Sequence, residues 1–253
     1  MPATFPGAPC WVDVMSSDTA RSSAFYSTLF GWHAEEPAPE YGGYFSFSHN
    51  GALVAGCMAK PANNPMPDTW TVYLQSADTR TAVAAAEARG STILAPAMEV
   101  GELGTMAVVT DPGGAVIGIW QPAGHAGFDV TDQPGTPVWF EVFTRDYGAA
   151  VAFYRDVFLW QTHVMSDTPE FRYTTLGDGE RQAAGIMDAS AFLPDGVPAS
   201  WSVYFRVTDT DAALGTVTDN GGGVIRPAED TPYGRMATVS DPMGAIFKLI
   251  GTA

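Results

Sequence analysis

The chain has 253 residues, 46% of them hydrophobic, which is enough for one large domain or two ordinary ones with a substantial core. Its 28 acidic residues outnumber its 12 basic ones, and the net charge of −16 repels nucleic-acid backbones and anionic membrane faces. Two cysteines, Cys10 and Cys57, give neither a disulfide framework nor a zinc knuckle.

In chain order, "MPATFPGAPCW" has no basic region and no apolar run, so the reading expects a cytoplasmic protein without a signal peptide. Trp11 to Met15 alternates at strand period, with Trp11, Asp13 and Met15 on one face and Val12 and Val14 on the other. Asp18 is a helix N-cap, Phe25 and Leu29 make an apolar i, i+4 pair, and Gly31 fits the helix stop. "YFSFSH", "ALVAGCM" and "WTVYLQS" read as short strands. Asp78 caps an alanine-rich helix ending at Gly90, and "TMAVVTDPGGAVIGIW" is a hairpin turning at Asp-Pro-Gly-Gly.

The same series then repeats. "PCWVDVMSSDTARSSAFYSTLFGW" from Pro9 is matched by "PVWFEVFTRDYGAAVAFYRDVFLW" from Pro137. Thr69–Pro96 is matched by Ser200–Pro227, and Met106–Trp120 by Met236–Ile250, with Asp209 and Gly221 as the second copy's cap and stop. The period is too long for a solenoid and marks an internal duplication. The predicted layout is a first βαβββ module over 1–120, a Gly/Pro-rich linker over 121–136, and a second βαβββ module over 137–253. One position departs from the repeat. Leu159 stands where Gly31 stands, so that helix is expected to end by another device.

"FYSTLFGW" and "FYRDVFLW" after the first strand, with "DPGG" and "DPMG" before the last, resemble the vicinal oxygen chelate superfamily of glyoxalases, bleomycin-resistance proteins and extradiol dioxygenases. The resemblance spans nearly the whole chain, in both copies. It implies an α+β fold in which two tandem βαβββ modules, related by a pseudo-twofold, curl mixed sheets around an open cleft. In metal-dependent relatives His, Glu or Gln ligands come from the first strand, the strand before the second helix, and the last strand. Those positions fall here on Trp11, Val72 and Gly118, and on Trp139, Val203 and Lys248. None is a competent ligand at neutral pH. The expectation is therefore no metal and no other cofactor. Of the four histidines, His33, His49, His125 and His163, only His49 sits at a strand end from which it could approach a cleft.

Chemistry then falls to Asp13 and Glu141, rough mates under the pseudo-twofold, as acid/base candidates. Burial beside Trp11 or Trp139 raises a carboxyl pKa, whereas an arginine partner lowers it and marks a structural role. Arg206, Arg172 and Arg235 are the candidate partners. Trp11, Trp139, Trp70, Trp201, Tyr44, Phe45, Phe171 and Tyr173, with Arg206, make the predicted ligand-binding set, suited to a small apolar or aromatic molecule. The functional expectation is metal-independent binding of such a metabolite, with lyase- or isomerase-type proton transfer. The alternatives are a sequestering protein without chemistry and a metal-dependent glyoxalase or dioxygenase with atypical ligands. A monomer is expected first and a homodimer second.

Overall fold

A computed structural model describes residues 5–251. Each half of the chain forms one eight-stranded mixed sheet with two helices. The first half comprises β1 (Pro9–Ser16), α1 (Thr19–Phe30), β2 (His33–Ala34), β3 (Phe45–His49), β4 (Ala52–Ala59), β5 (Thr69–Gln75), α2 (Thr79–Ala88), β6 (Ile93–Val100), β7 (Gly104–Thr110) and β8 (Val116–Pro122). The second half comprises β9 (Pro137–Thr144), α3 (Tyr147–Phe158), β10 (Thr162–Asp167), β11 (Arg172–Leu176), β12 (Ala184–Asp188), β13 (Ser200–Arg206), α4 (Thr210–Asp219), β14 (Gly223–Thr231), β15 (Gly234–Ser240) and β16 (Ile246–Gly251).

The strand order is β2-β3-β4-β1-β5-β8-β7-β6 in one sheet and β10-β11-β12-β9-β13-β16-β15-β14 in the other. The internal repeat is thus as the sequence reading has it, with one refinement. Each half holds two βαβββ units, β1 to β4 and β5 to β8 in the first. In each unit the last strand returns parallel beside the first. The units join through the antiparallel β1–β5 pair at the centre of the sheet. The sequence reading has no strand over β6 or β14. Both carry a proline and several exposed apolar side chains, which blurs their alternation.

Three helix starts follow the predicted caps, and Asp146 supplies the fourth. Asp18, Asp78, Asp146 and Asp209 each accept a hydrogen bond from a first-turn backbone N–H. Gly31 closes α1 in the left-handed conformation at φ 72°. Leu159 closes α3 in the same conformation, at φ 59° and 63% exposed, which corrects the expected alternative device. The pressure to end the helix before Trp160, whose indole donates to the Gly7 carbonyl at 3.0 Å, outweighs the cost of a left-handed leucine.

The core lies on the helix side of both sheets and is shared between the halves. Phe30, Trp32 and Trp70 of the first half meet Phe205 of the second, and Tyr26 and Phe25 meet Phe247. The two signature motifs join across this core. The Tyr26 hydroxyl donates to Asp241 at 3.0 Å, and the Tyr154 hydroxyl donates to Asp111 at 3.0 Å. Each aspartate is in turn held by backbone N–H groups of its own turn, Gly113 and Ala115 for Asp111, Met243 and Ala245 for Asp241. The Phe-Tyr helix of one half is therefore latched to the Asp-Pro-x-Gly turn of the other. No described helix is long and apolar enough to cross a membrane.

Candidate ligand site on the concave faces

Strand alternation decides which side chains leave this core. Val12 and Val14 are buried on the helix side, so Trp11 and Asp13 take the opposite, concave face. Cross-strand partners share a face, so Tyr73 opposite Trp11 and Thr71 opposite Asp13 belong with them. Val72 pairs with Val12 and faces the core, as does Val203, which pairs with Phe140. This corrects the sequence-based placement by one residue. The concave positions on β5 and β13 are Tyr73 and Tyr204.

In the first half, Trp11 Nε1 donates to the Tyr44 hydroxyl at 2.7 Å. A Cβ on Gly56, the neighbour of Asp13 on β4, would sit 1.8 Å from that hydroxyl, so only glycine lets Tyr44 lie there. Asp13 is 3% exposed, and its Oδ1 has no hydrogen-bond partner. Burial pushes its carboxyl up to about 7, with the Tyr73 and Thr71 side chains only partly offsetting that effect. No cation pairs with it among the described residues. His125 and Phe128 of the connecting segment close one end, with ring centres 4.5 and 5.6 Å from Trp11.

The second half repeats the frame with different chemistry. Trp139 Nε1 donates to the Tyr173 hydroxyl at 3.0 Å, and Gly185 leaves room for it. Glu141 accepts a hydrogen bond from the Tyr204 hydroxyl at 2.6 Å. Lys248 Nζ lies 2.7 Å from that same hydroxyl and 3.7 Å from Glu141 Oε2. Burial lowers the Lys248 pKa to about 8, with Glu141 opposing the shift and Arg226 adding to it. The counter-ion of Glu141 is thus Lys248. Arg206 pairs with Asp132, Arg172 with Asp167 and Asp188, and Arg235 with Asp211 and Asp230.

The other predicted ligand residues divide. Trp70 and Trp201 lie on the helix side, with indole nitrogens on the Tyr26 and Tyr154 hydroxyls at 3.1 and 2.8 Å. Phe45 is buried on that side too, against Phe47. Arg206 sits at the end of β13, bonded to the connecting segment. Phe171 is on the rim and stacks on Tyr173 at 5.7 Å. His49 lies beside Gly31 and Gly135, whereas His125 packs edge-on against Trp11. Sequence reasoning missed Tyr73, Tyr204 and His125, and it weighed Lys248 only as a failed metal ligand. The signal the sequence did carry is a glycine at the same distance after each concave tyrosine, Gly56 after Tyr44 and Gly185 after Tyr173.

The donor set at the positions where relatives hold a metal does not fit one. It consists of two indoles, two phenols, a glycine and a lysine, and no three of His, Cys, Asp and Glu gather anywhere among the described residues.

The family model described as Glyoxalase/Bleomycin resistance protein/Dioxygenase superfamily matches residues 10–119 and again 136–249. "Putative glyoxylase CFP32" of Mycobacterium tuberculosis is 36% identical over 252 residues, covering 98% of this chain and 95% of that protein. "Anthracycline biosynthesis protein DnrV" of Streptomyces peucetius is 34% identical over 259 residues, covering 97% and 93%. Among solved structures, the Mn(II)-bound glyoxalase from Novosphingobium aromaticivorans superposes with a TM-score of 0.65 at 15% identity, covering 97% of this chain and 82% of that one. The 2,3-dioxygenase LapB from Pseudomonas sp. KL28 gives 0.65 at 12% identity, covering 98% and 93%. At these identities the structural likeness establishes the fold alone.

Proposed function

Because this chain belongs to the Glyoxalase/Bleomycin resistance protein/Dioxygenase superfamily, we propose that it is a metal-independent member that binds a small planar aromatic molecule on its concave faces. Asp13 is the acid/base group. The observation that carries this reading is a buried carboxyl without a counter-ion, placed beside the Tyr73 and Thr71 side chains. A carboxyl titrating near neutrality can take a proton from an acidic C–H of the ligand and return it to another position. Such an isomerisation needs no oxidant and no metal. Tyr73, whose side chain stands beside Asp13, is the relay. A relative named for anthracycline biosynthesis, together with Trp11 and the phenols around it, favours a polycyclic aromatic ligand over a small aliphatic one.

Sequestration without turnover is the second reading. It is favoured by the burial of Asp13, which is only 3% exposed. One experiment separates the two. A polycyclic aromatic ketone with an enolisable C–H is incubated with the protein in deuterated water, and binding is followed by tryptophan quenching. The expected result is deuterium incorporation that Asp13→Asn slows by about 10²–10⁴-fold while quenching is retained. Equal incorporation in both proteins removes the catalytic role and leaves sequestration.

A further inference from the structure

The two halves have diverged along one cross-strand row. In the first half, consecutive partners across the sheet are Trp11, Tyr73, Gly118, Val108 and Ala95. In the second half the same row reads Trp139, Tyr204, Lys248, Thr238 and Arg226. Partners in register project to the same side, so each row is a strip across the concave face. One strip is apolar beyond its tyrosine. The other carries two cations and a hydroxyl.

From this contrast we infer that the second half's concave face is a separate site for an aromatic anion, a carboxylate or phenolate on a planar ring. Lys248 is fixed from several sides. Its Nζ is held by the Tyr204 hydroxyl and lies 3.9 Å from the Phe143 ring centre and 4.6 Å from that of Tyr204. Glu141 neutralises one positive charge. Arg226 supplies a second and has no carboxylate within salt-bridge distance among the described residues, in a chain with 28 acidic side chains against 12 basic ones. An arginine left unpaired on so acidic a protein, in one row with a half-buried lysine, leaves a local positive charge for an incoming anion.

The apolar part of such a ligand also has a place. Phe143 packs against Phe192, which is 47% exposed, and Phe171 stacks on Tyr173 at the rim. Tyr233, 69% exposed, stands near Tyr173. These rings can flank a planar ligand whose anionic end meets Lys248 and Arg226. The first half has glycine where Lys248 stands, and a Cβ there would meet the Tyr73 ring at 2.2 Å. The apolar strip therefore cannot gain the same cation without displacing Tyr73. The inference shares the concave-face geometry with the Asp13 reading but none of its residues.

The test is calorimetric titration with 2-naphthoate and with the neutral 2-naphthylmethanol. Naphthoate should bind more tightly, and its affinity should fall by at least about tenfold in both Lys248→Met and Arg226→Gln. Lys248→Arg should keep most of the affinity. Arg226 is exposed, so its variant reports even if Lys248→Met fails to fold. Equal affinity for the two ligands, or naphthoate affinity unchanged in Arg226→Gln and in folded Lys248→Met, would overturn the inference. If naphthoate fails while the neutral ketone still binds and exchanges deuterium, the anion site falls and the Asp13 reading stands.

Discussion

Replacing Asp241 by alanine is expected to lower the stability of the whole chain by about 3–5 kcal/mol, the sum of several buried groups left without partners at about 1–3 kcal/mol each. The carboxylate accepts hydrogen bonds from the Met243 and Ala245 N–H groups and from the Tyr26 hydroxyl of the other half. Removing it strands all three, and Tyr26 also holds the Trp70 indole. The neighbourhood is a stack of rings from both halves, so loosening Tyr26 disturbs Phe30, Trp32 and Phe247. Asp111→Ala should cost a similar amount, because Asp111, Tyr154 and Trp201 repeat the arrangement. Tyr26→Phe should cost less, since it leaves the turn N–H groups paired. Denaturant unfolding followed by circular dichroism measures all three. A loss under about 1 kcal/mol for Asp241→Ala would mean that the halves are held by apolar packing alone.

The second large effect is on pH dependence. The Asp13 carboxyl titrates near 7 in the fold, against about 4 in an unfolded chain. Between those values the unfolded state has released a proton that the folded state keeps. Stability attributable to this group therefore falls as pH rises through that window and levels off above about 7. The whole effect is of the order of 4 kcal/mol. Asp13→Asn removes the titration without adding volume. The variant should be the more stable protein at pH 8, and its advantage should vanish toward pH 4. The difference between the two stability–pH curves isolates Asp13 from other carboxyls raised by burial, Asp111 and Asp241 among them. Parallel curves would show that Asp13 is ionised and well solvated in the fold.

Much of this architecture was legible in the sequence because duplication states each feature twice. The pairing of Trp11 with Asp13 and of Trp139 with Glu141 on one face followed from alternation with Val12 and Val14 in one copy and Phe140 and Val142 in the other. The next strand misled. In "WTVYL" both faces carry a large side chain, and the tryptophan looked like a wall of the cleft. In the structure Trp70 and Leu74 belong to the core and Tyr73 to the concave face. Only a partner for the indole nitrogen, supplied by Tyr26 from the helix, decides the matter, and that contact is not local.

The remaining surprises share this cause. Tyr26 and Asp241 were each recognisable as motif residues, but 215 positions separate them and nothing in either motif says that they touch. Glu141 was an acid/base candidate for which an arginine partner was the structural alternative. It found Lys248, which the topology places on the strand beside Tyr204. The predicted arginines instead pair with surface aspartates that an acidic chain supplies in excess.

On the reading proposed above, the concave faces work without a metal, with indoles, phenols, a carboxyl and a lysine in its place. Calorimetric titration of a planar aromatic ketone into protein stripped with a chelator, with and without added Mn(II), Ni(II) or Zn(II), tests it most directly. The same affinity and the same deuterium exchange are expected in all samples. Binding or exchange that appears only on adding one of these ions, at one ion per chain or per half, would contradict it.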